Sequence, residues 1–275
     1  VRARRGYMAP RGNPPAPRLM SNDGASPAVL EALNSPLPSS GVGMRVFAAP
    51  FKGVGSTASV VLGIELKGRD LVSAENNRVE LSYAAADTSG RVRAGDTEYL
   101  TLALRPEIRT RVEEAGIRIL NRVNLPPGRY QVRIAARNTA SGALGALSYD
   151  LEVPDFEQPP LSMSGLLLTS TAGMQTMMAR GDEQLSKSMP APPVSLRTFP
   201  RDDEVVVFAE IYDRRGNTPH AVDVVTTVRS DEGAVLFEDA DERSSAELKG
   251  ANGGYDHTVR VPMAQLEPGR YVLTL

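Results

Sequence analysis

Two histidines, three acidic clusters and a group of methionines are the residues of this sequence whose types could do chemistry. His220 follows Thr218-Pro219 in an expected turn and His257 opens an expected strand. Neither stands at a metal-ligand spacing such as His-x-x-x-His, so both are expected at the surface. The clusters Asp202-Asp203-Glu204, Asp231-Glu232 and Glu238-Asp239-Asp241-Glu242 offer the oxygen ligands that calcium takes from flexible turns. The D-x-D-x-D-G spacing is absent, however, and β-turns favour Asp for their own reasons. Met174, Met177 and Met178 fall at helical spacing, which suits a pliable contact surface or, more simply, a loop packed on a domain. There is no Gly-x-Ser-x-Gly elbow and no phosphate-cradling Gly-x-x-x-x-Gly-Lys-Ser/Thr loop, and Gly41-Val42-Gly43 reads as linker. The absence of cysteine excludes thiolate catalysis, disulfides and Cys-ligated metal. No catalytic residue, cofactor-binding residue or metal ligand is therefore assigned, and the chain is not expected to be an enzyme.

The elements that carry these residues are organised by a repeat. Leu125-Pro126-Pro127-Gly128-Arg129-Tyr130 recurs as Leu266-Glu267-Pro268-Gly269-Arg270-Tyr271, each copy running into an alternating strand. Pro-Gly suits a tight turn, because proline presets its own φ and glycine accepts positive φ. Tyr130, Val132 and Ile134 then share one face and Gln131 and Arg133 the other, the pattern of a half-buried strand. Arg129 and Arg270 recur with the turn, which shows shared construction; an outward arginine covering apolar surface with its stem is their ordinary role.

Two turns of this kind imply two β-domains, and 275 residues are enough for each to bury a core. No apolar run reaches the roughly 18 residues of a membrane-spanning helix. Residues 1–155 are net basic and 156–275 net acidic, with Arg2, Arg4, Arg5, Arg11 and Arg18 crowded at the start. The arginines are not interleaved with stacking aromatics and Trp is absent, so attraction between oppositely charged neighbours is preferred to nucleic-acid binding.

Residues 1–40 read as an arm and linker, the end of a preceding domain, with a Pro- and Gly-rich stretch over 11–25 and a short helix over 27–34 behind Ser26. A first sandwich is expected over 41–155, with strands at 44–51, 58–66, 79–86, 99–104, 117–123, 129–136 and 146–153 and a helix over 106–115. A second, over 156–275, has strands at 161–170, 205–212, 222–229, 234–237 and 257–261, a polar excursion over 171–193, and a last strand whose partner is missing. The fold class is thus all-β: two tandem immunoglobulin- or fibronectin type III-like antiparallel sandwiches with an N-terminal arm and short helices.

Several stretches in order carry a resemblance. VRARRGYMAP (1–10) resembles the final strand and exit of the von Willebrand factor A-like domain of exported proteins of the acidobacterial type. MRVFAAPFKG (44–53), LPPGRYQVRIAARNT (125–139), YDLEVPDF (149–156), LSMSGLLLTS (161–170) and RTFPRDDEVVVFAEIYD (197–213) are similar to the region that follows that domain. The resemblance implies export to the periplasm, cell surface or medium, an A-domain upstream and β-sandwich modules downstream. It brings no catalytic residue, and the D-x-S-x-S metal loop of an A-domain is absent from this chain.

The expected function is a non-catalytic structural, adhesion or assembly module of such an exported protein. The alternative is a carbohydrate- or peptide-binding domain pair serving an extracytoplasmic enzyme. Protein partners are expected, including a homo-oligomer formed by strand addition: the basic segment Val1, Arg2, Ala3, Arg4, Arg5 is the candidate assembly strand, and Tyr271, Val272, Leu273, Thr274, Leu275 the candidate open edge. The simpler expectation is that both ends are cut from their domains. No cofactor is expected.

Overall fold

The computed structural model describes residues 24–72, 76–103, 105–215, 218–247 and 254–275. The candidate assembly strand Val1–Arg5 and residues 11–23 of the expected linker lie outside these.

Helix α1 (Pro27–Asn34) starts with Pro27 in its first turn, but the Ser26 side chain does not cap it. The Ser26 N–H instead donates to the buried Glu80 carboxylate at 2.5 Å. Val29 and Leu33 bury against Ala135 and Ala146, which places the helix on the outer face of a sheet. After the two-residue β1 (Ser39–Ser40), the first sandwich is built from β2 (Met44–Lys52), β3 (Ala58–Leu66), β4 (Asn76–Asp87), β5 (Val92–Ala103), α2 (Pro106–Ala115), β6 (Ile117–Leu125), β7 (Gly128–Asn138) and β8 (Leu144–Val153). One sheet has the order β1-β8-β7-β4-β5 and the other contains β2, β3 and β6, all antiparallel. This is an immunoglobulin-type sandwich whose β5 lies beside β4 rather than with β2, β3 and β6, the fibronectin type III variant.

The second half continues through β9 (Leu161–Met163), β10 (Leu167–Ser170), β11 (Met177–Arg180), α3 (Leu185–Ser188), β12 (Glu204–Asp213), β13 (Ala221–Ser230), β14 (Val235–Ser244), β15 (Tyr255–Pro262) and β16 (Tyr271–Thr274). One sheet joins β9 and β10 to β12 and β12 to β15; the other has the order β14-β13-β16. The connection order is that of the first sandwich from β2 to β7, with β9 and β10 together in the place of β2.

The one strand expected over 161–170 is two. The break has a physical cause: the Gly165 N–H donates to the Pro50 carbonyl of β2 at 2.7 Å, and a Cβ at Gly165 would fall 2.8 Å from Ala49 Cα. The chain there is committed to its neighbour, not to its own sheet. This contact belongs to a third apolar cluster, in which Phe47, Phe51, Val61 and Leu120 meet Leu167, Phe208, Leu185 and Met189. Leu168 and Val207, next in sequence to Leu167 and Phe208, point the other way into the second sandwich's own core. Alternation along the strands thus feeds two cores at once, and the outer faces of β2, β3 and β6 meet β10 and β12 through this cluster.

This stacking explains the nearly continuous apolar run of β3, whose residues are almost all buried because both of its faces are covered. Gly63 interrupts the run because the Phe47 ring lies over it, 2.0 Å from where a Cβ would stand. Within the seam Phe51 stacks on Phe208 at 6.4 Å, and Phe156 meets Tyr212 edge-on at 5.3 Å. The Tyr212 hydroxyl accepts the Lys52 N–H at 3.0 Å and donates to Glu210 at 2.6 Å. Burial pushes both the Tyr212 hydroxyl and the Glu210 carboxyl above their ordinary values.

Candidate functional site

The repeated turn does more than reverse the chain. Tyr130 bends back so that its hydroxyl donates to the Pro126 carbonyl at 2.8 Å, and Tyr271 makes the same bond to Glu267. This is the tyrosine corner of immunoglobulin-type sandwiches, which fixes the entry of the strand that follows. In the second copy it aims Tyr271 and Leu273 inward, against Val228, Leu168 and Leu266, and leaves Val272 exposed.

β16 pairs with β13 along one edge, Ser230 opposite Tyr271 through Thr227 opposite Thr274. Along its other edge it pairs with no strand among the described residues. A cleft of about 730 Å³ opens there between the two sheets. Its floor is Leu166, Leu168, Val205, Val207 and Val228, and its rim carries Arg197, Arg201 and Arg270. Arg201 is paired with Glu267 at 3.2 Å, and Arg197 donates to the Val194 and Leu196 carbonyls.

A second polar constellation escaped the sequence reading. Glu65 and Arg118 face each other across β3 and β6 with side chains 8% and 1% exposed, and Arg118 Nε lies 2.8 Å from Glu65 Oε1. Arg118 also donates to the Gly173 carbonyl at 2.9 Å, and both the N–H and hydroxyl of Ser195 donate to Glu65. The signal was present in β3, where Glu65 is the one charge in a nearly continuous apolar run, but not in β6, where Arg118 stands among Arg122, Asn121 and Asn124. The network belongs to the excursion over 171–193. Met177–Arg180 forms β11, which runs parallel to β6 as an added strand of the first sandwich. Arg122 holds Asp182 at 2.5 Å and Arg180 holds Glu98 at 2.7 Å.

The methionines therefore do not form a helical stripe. Ala172–Gln175 is a short 3-10 turn holding Met174, and Met177 and Met178 lie on β11, because parallel pairing with β6 draws the chain extended. The segment is a packed loop, and the domain it packs on is the first. His257 is not at the surface either: the alternation of β15 turns His257, Val259 and Val261 inward, leaving His257 3% exposed with Nε2 3.4 Å from Thr226 Oγ1. His220 is half-buried, 2.9 Å from Asp213. The cluster Glu238–Glu242 sits on strand β14 rather than in a loop, and Asp203 accepts the N–H groups of Thr171 and Glu204. Arg129 stands 3.9 Å from Glu152 with both side chains largely exposed, a pair of little energetic weight.

Burial pulls the His257 imidazole below its ordinary value near 6.5, against the upward pull of Asp241 and Asp239. A depressed folded-state value means that the unfolded chain takes the proton first. The contribution to stability is whole above about pH 6.5 and is lost as pH falls through the folded-state value. The melting temperature of the chain is expected to fall between pH 7 and pH 5 more steeply than that of a His257→Gln variant; parallel pH profiles would refute this.

Compared with known proteins, the chain matches no protein-family model and no curated sequence. Fold and site together define its class, an all-β protein of stacked sandwiches.

Proposed function

We propose that this chain is a non-catalytic structural and assembly module, a stiff tandem unit of an exported protein that also carries a von Willebrand factor A-like domain. The observation that carries this reading is the apolar seam. Sandwiches joined by a simple linker move relative to one another by default, whereas a large hydrophobic interface couples them. Here Phe47, Phe51, Leu167 and Phe208 are all buried between the two, and β11 crosses back as a brace. Such a unit holds whatever lies on either side of it at a fixed angle, which suits a spacer or an assembly element. Export and the neighbouring A-domain rest on the ordered resemblance over 1–10, 44–53, 125–139, 149–156, 161–170 and 197–213.

Differential scanning calorimetry with small-angle scattering tests the reading. The expected result is one cooperative transition with equal calorimetric and van't Hoff enthalpies, and a scattering curve fitted by one shape. Two separated transitions, or a curve that only an ensemble fits, would remove the basis for a stiff unit.

A further inference from the structure

The first sandwich has an opening of its own, built wholly from residues between Ser59 and Gln184. β11 pairs with β6 only as far as Arg180 opposite Ile119, and the chain then leaves through Gly181. The gap left between β5 and the rest of β6 is a polar, open cleft of about 530 Å³, within the roughly 300–1,000 Å³ of small-molecule sites. Tyr83 of β4 stands opposite Asp96 of β5, and both line the cleft together with Asn121 of β6. Arg122 and Asn124, also of β6, line it with Asp182 and Gln184 of the departing chain.

The cleft's arginines are answered by its own carboxylates. Arg122 makes two hydrogen bonds to Asp182, at 2.5 and 3.1 Å, and a third to the Ser59 hydroxyl at 3.1 Å. Arg180 holds Glu98 at 2.7 Å and donates to Asn121, whose amide donates to Glu98 at 3.1 Å. The groups left over are mostly neutral. Tyr83 is only 7% exposed, yet its hydroxyl makes no hydrogen bond among the described residues, whereas a buried tyrosine ordinarily finds a partner. Burial, and then the carboxylates of Asp96 and Glu98, push that hydroxyl up to about 12, so it keeps its proton to donate. The Asn124 and Gln184 side-chain amides are unengaged among the described residues, and Asp96 accepts the Thr97 N–H with one oxygen and has the other free. A phosphate or carboxylate would meet Asp96, Asp182 and Glu183 here, and a cation would meet Arg122 and Arg180. Hydroxyl groups, which donate and accept alike, match a phenol, two amides and one carboxylate oxygen.

We propose that this cleft binds a neutral sugar, its hydroxyl groups hydrogen-bonded to the Tyr83 hydroxyl, the Asn124 amide and the free oxygen of Asp96. The test is saturation-transfer NMR on the 275-residue chain with glucose, galactose, mannose and N-acetylglucosamine, each as the free sugar and as a linear trimer. At least one is expected to bind saturably with a Kd of about 1–10 mM, as a few hydrogen bonds in an open cleft allow. Tighter binding of the trimer assigns the site to a polysaccharide, and equal binding assigns it to a free sugar. Tyr83→Phe keeps the ring in the core, and Asn124→Ala changes an exposed position that leaves the fold intact. Each weakens binding about fivefold, the loss of one hydrogen bond. Phosphorylation of the same sugar weakens it by a similar factor, because the phosphate meets the carboxylates. Failure of every sugar to saturate below about 20 mM, or indifference to both substitutions, overturns the proposal. A sugar phosphate that binds more tightly than its parent overturns it as well, since the cleft is then an anion site.

Discussion

Replacing Arg118 with methionine is expected to lower the folding free energy by about 3–5 kcal/mol, the range for breaking a buried ion pair. Methionine keeps most of the volume, so the loss is electrostatic. Glu65 is left as a buried carboxylate whose only remaining donors among the described residues are the N–H and hydroxyl of Ser195. The Gly173 carbonyl, which accepts from Arg118 at 2.9 Å, loses that partner as well. The double variant Glu65→Gln with Arg118→Met removes the uncompensated charge and is expected to recover much of the loss, since a buried pair replaced as a whole is often nearly neutral. Urea denaturation of the three proteins decides the matter. If the single variant loses less than about 1 kcal/mol, the carboxylate is not confined as described.

Phe208→Ala is expected to cost a further kind of stability. The ring is fully buried at the seam and stacks on Phe51, so its removal falls in the range of about 3–5 kcal/mol for a large-to-small core change. Both sandwiches keep their own cores, because Leu168 and Val207 point away from the seam. The loss is therefore concentrated in the coupling between them, and the single calorimetric transition is expected to split into two. A variant that melts lower but still in one step would mean that β11 and the ion pairs of the excursion suffice to couple the halves.

Strands with a dry face were legible in the sequence, and strands without one were not. β3 and α2 lie where apolar periodicity and the Pro106 and Gly116 signals put them, over Ala58–Leu66 and Pro106–Ala115. β5 and β14 extend well beyond the expected 99–104 and 234–237, because both are edge strands whose alternation is largely polar on either side. The Pro-Gly turns were readable from local chemistry, but the bond from each tyrosine back to the fourth residue before it was not. Nor was the destination of residues 171–193. Asp182 meets a partner 60 residues earlier, and no local pattern encodes a contact at that range. Of the candidate site, the turn before Tyr271 was readable from Pro268-Gly269; the cleft and its arginine rim depend on where the β10 and β12 faces end up.

The returning strand β11 bears on the order in which the molecule is made. The sheet of β2, β3 and β6 gains its last member from residues 177–180. At an elongation rate of about 5–20 residues per second, the stretch from Arg122 to Asp182 takes about 3–12 s to emerge from the ribosome. During that interval the β6 edge and the apolar face later covered by Phe208 are bare on the nascent chain. The N-terminal sandwich is thus synthesised first but finished late, and the delay exposes it to chaperone capture and to mispairing with the same edge on a neighbouring nascent chain.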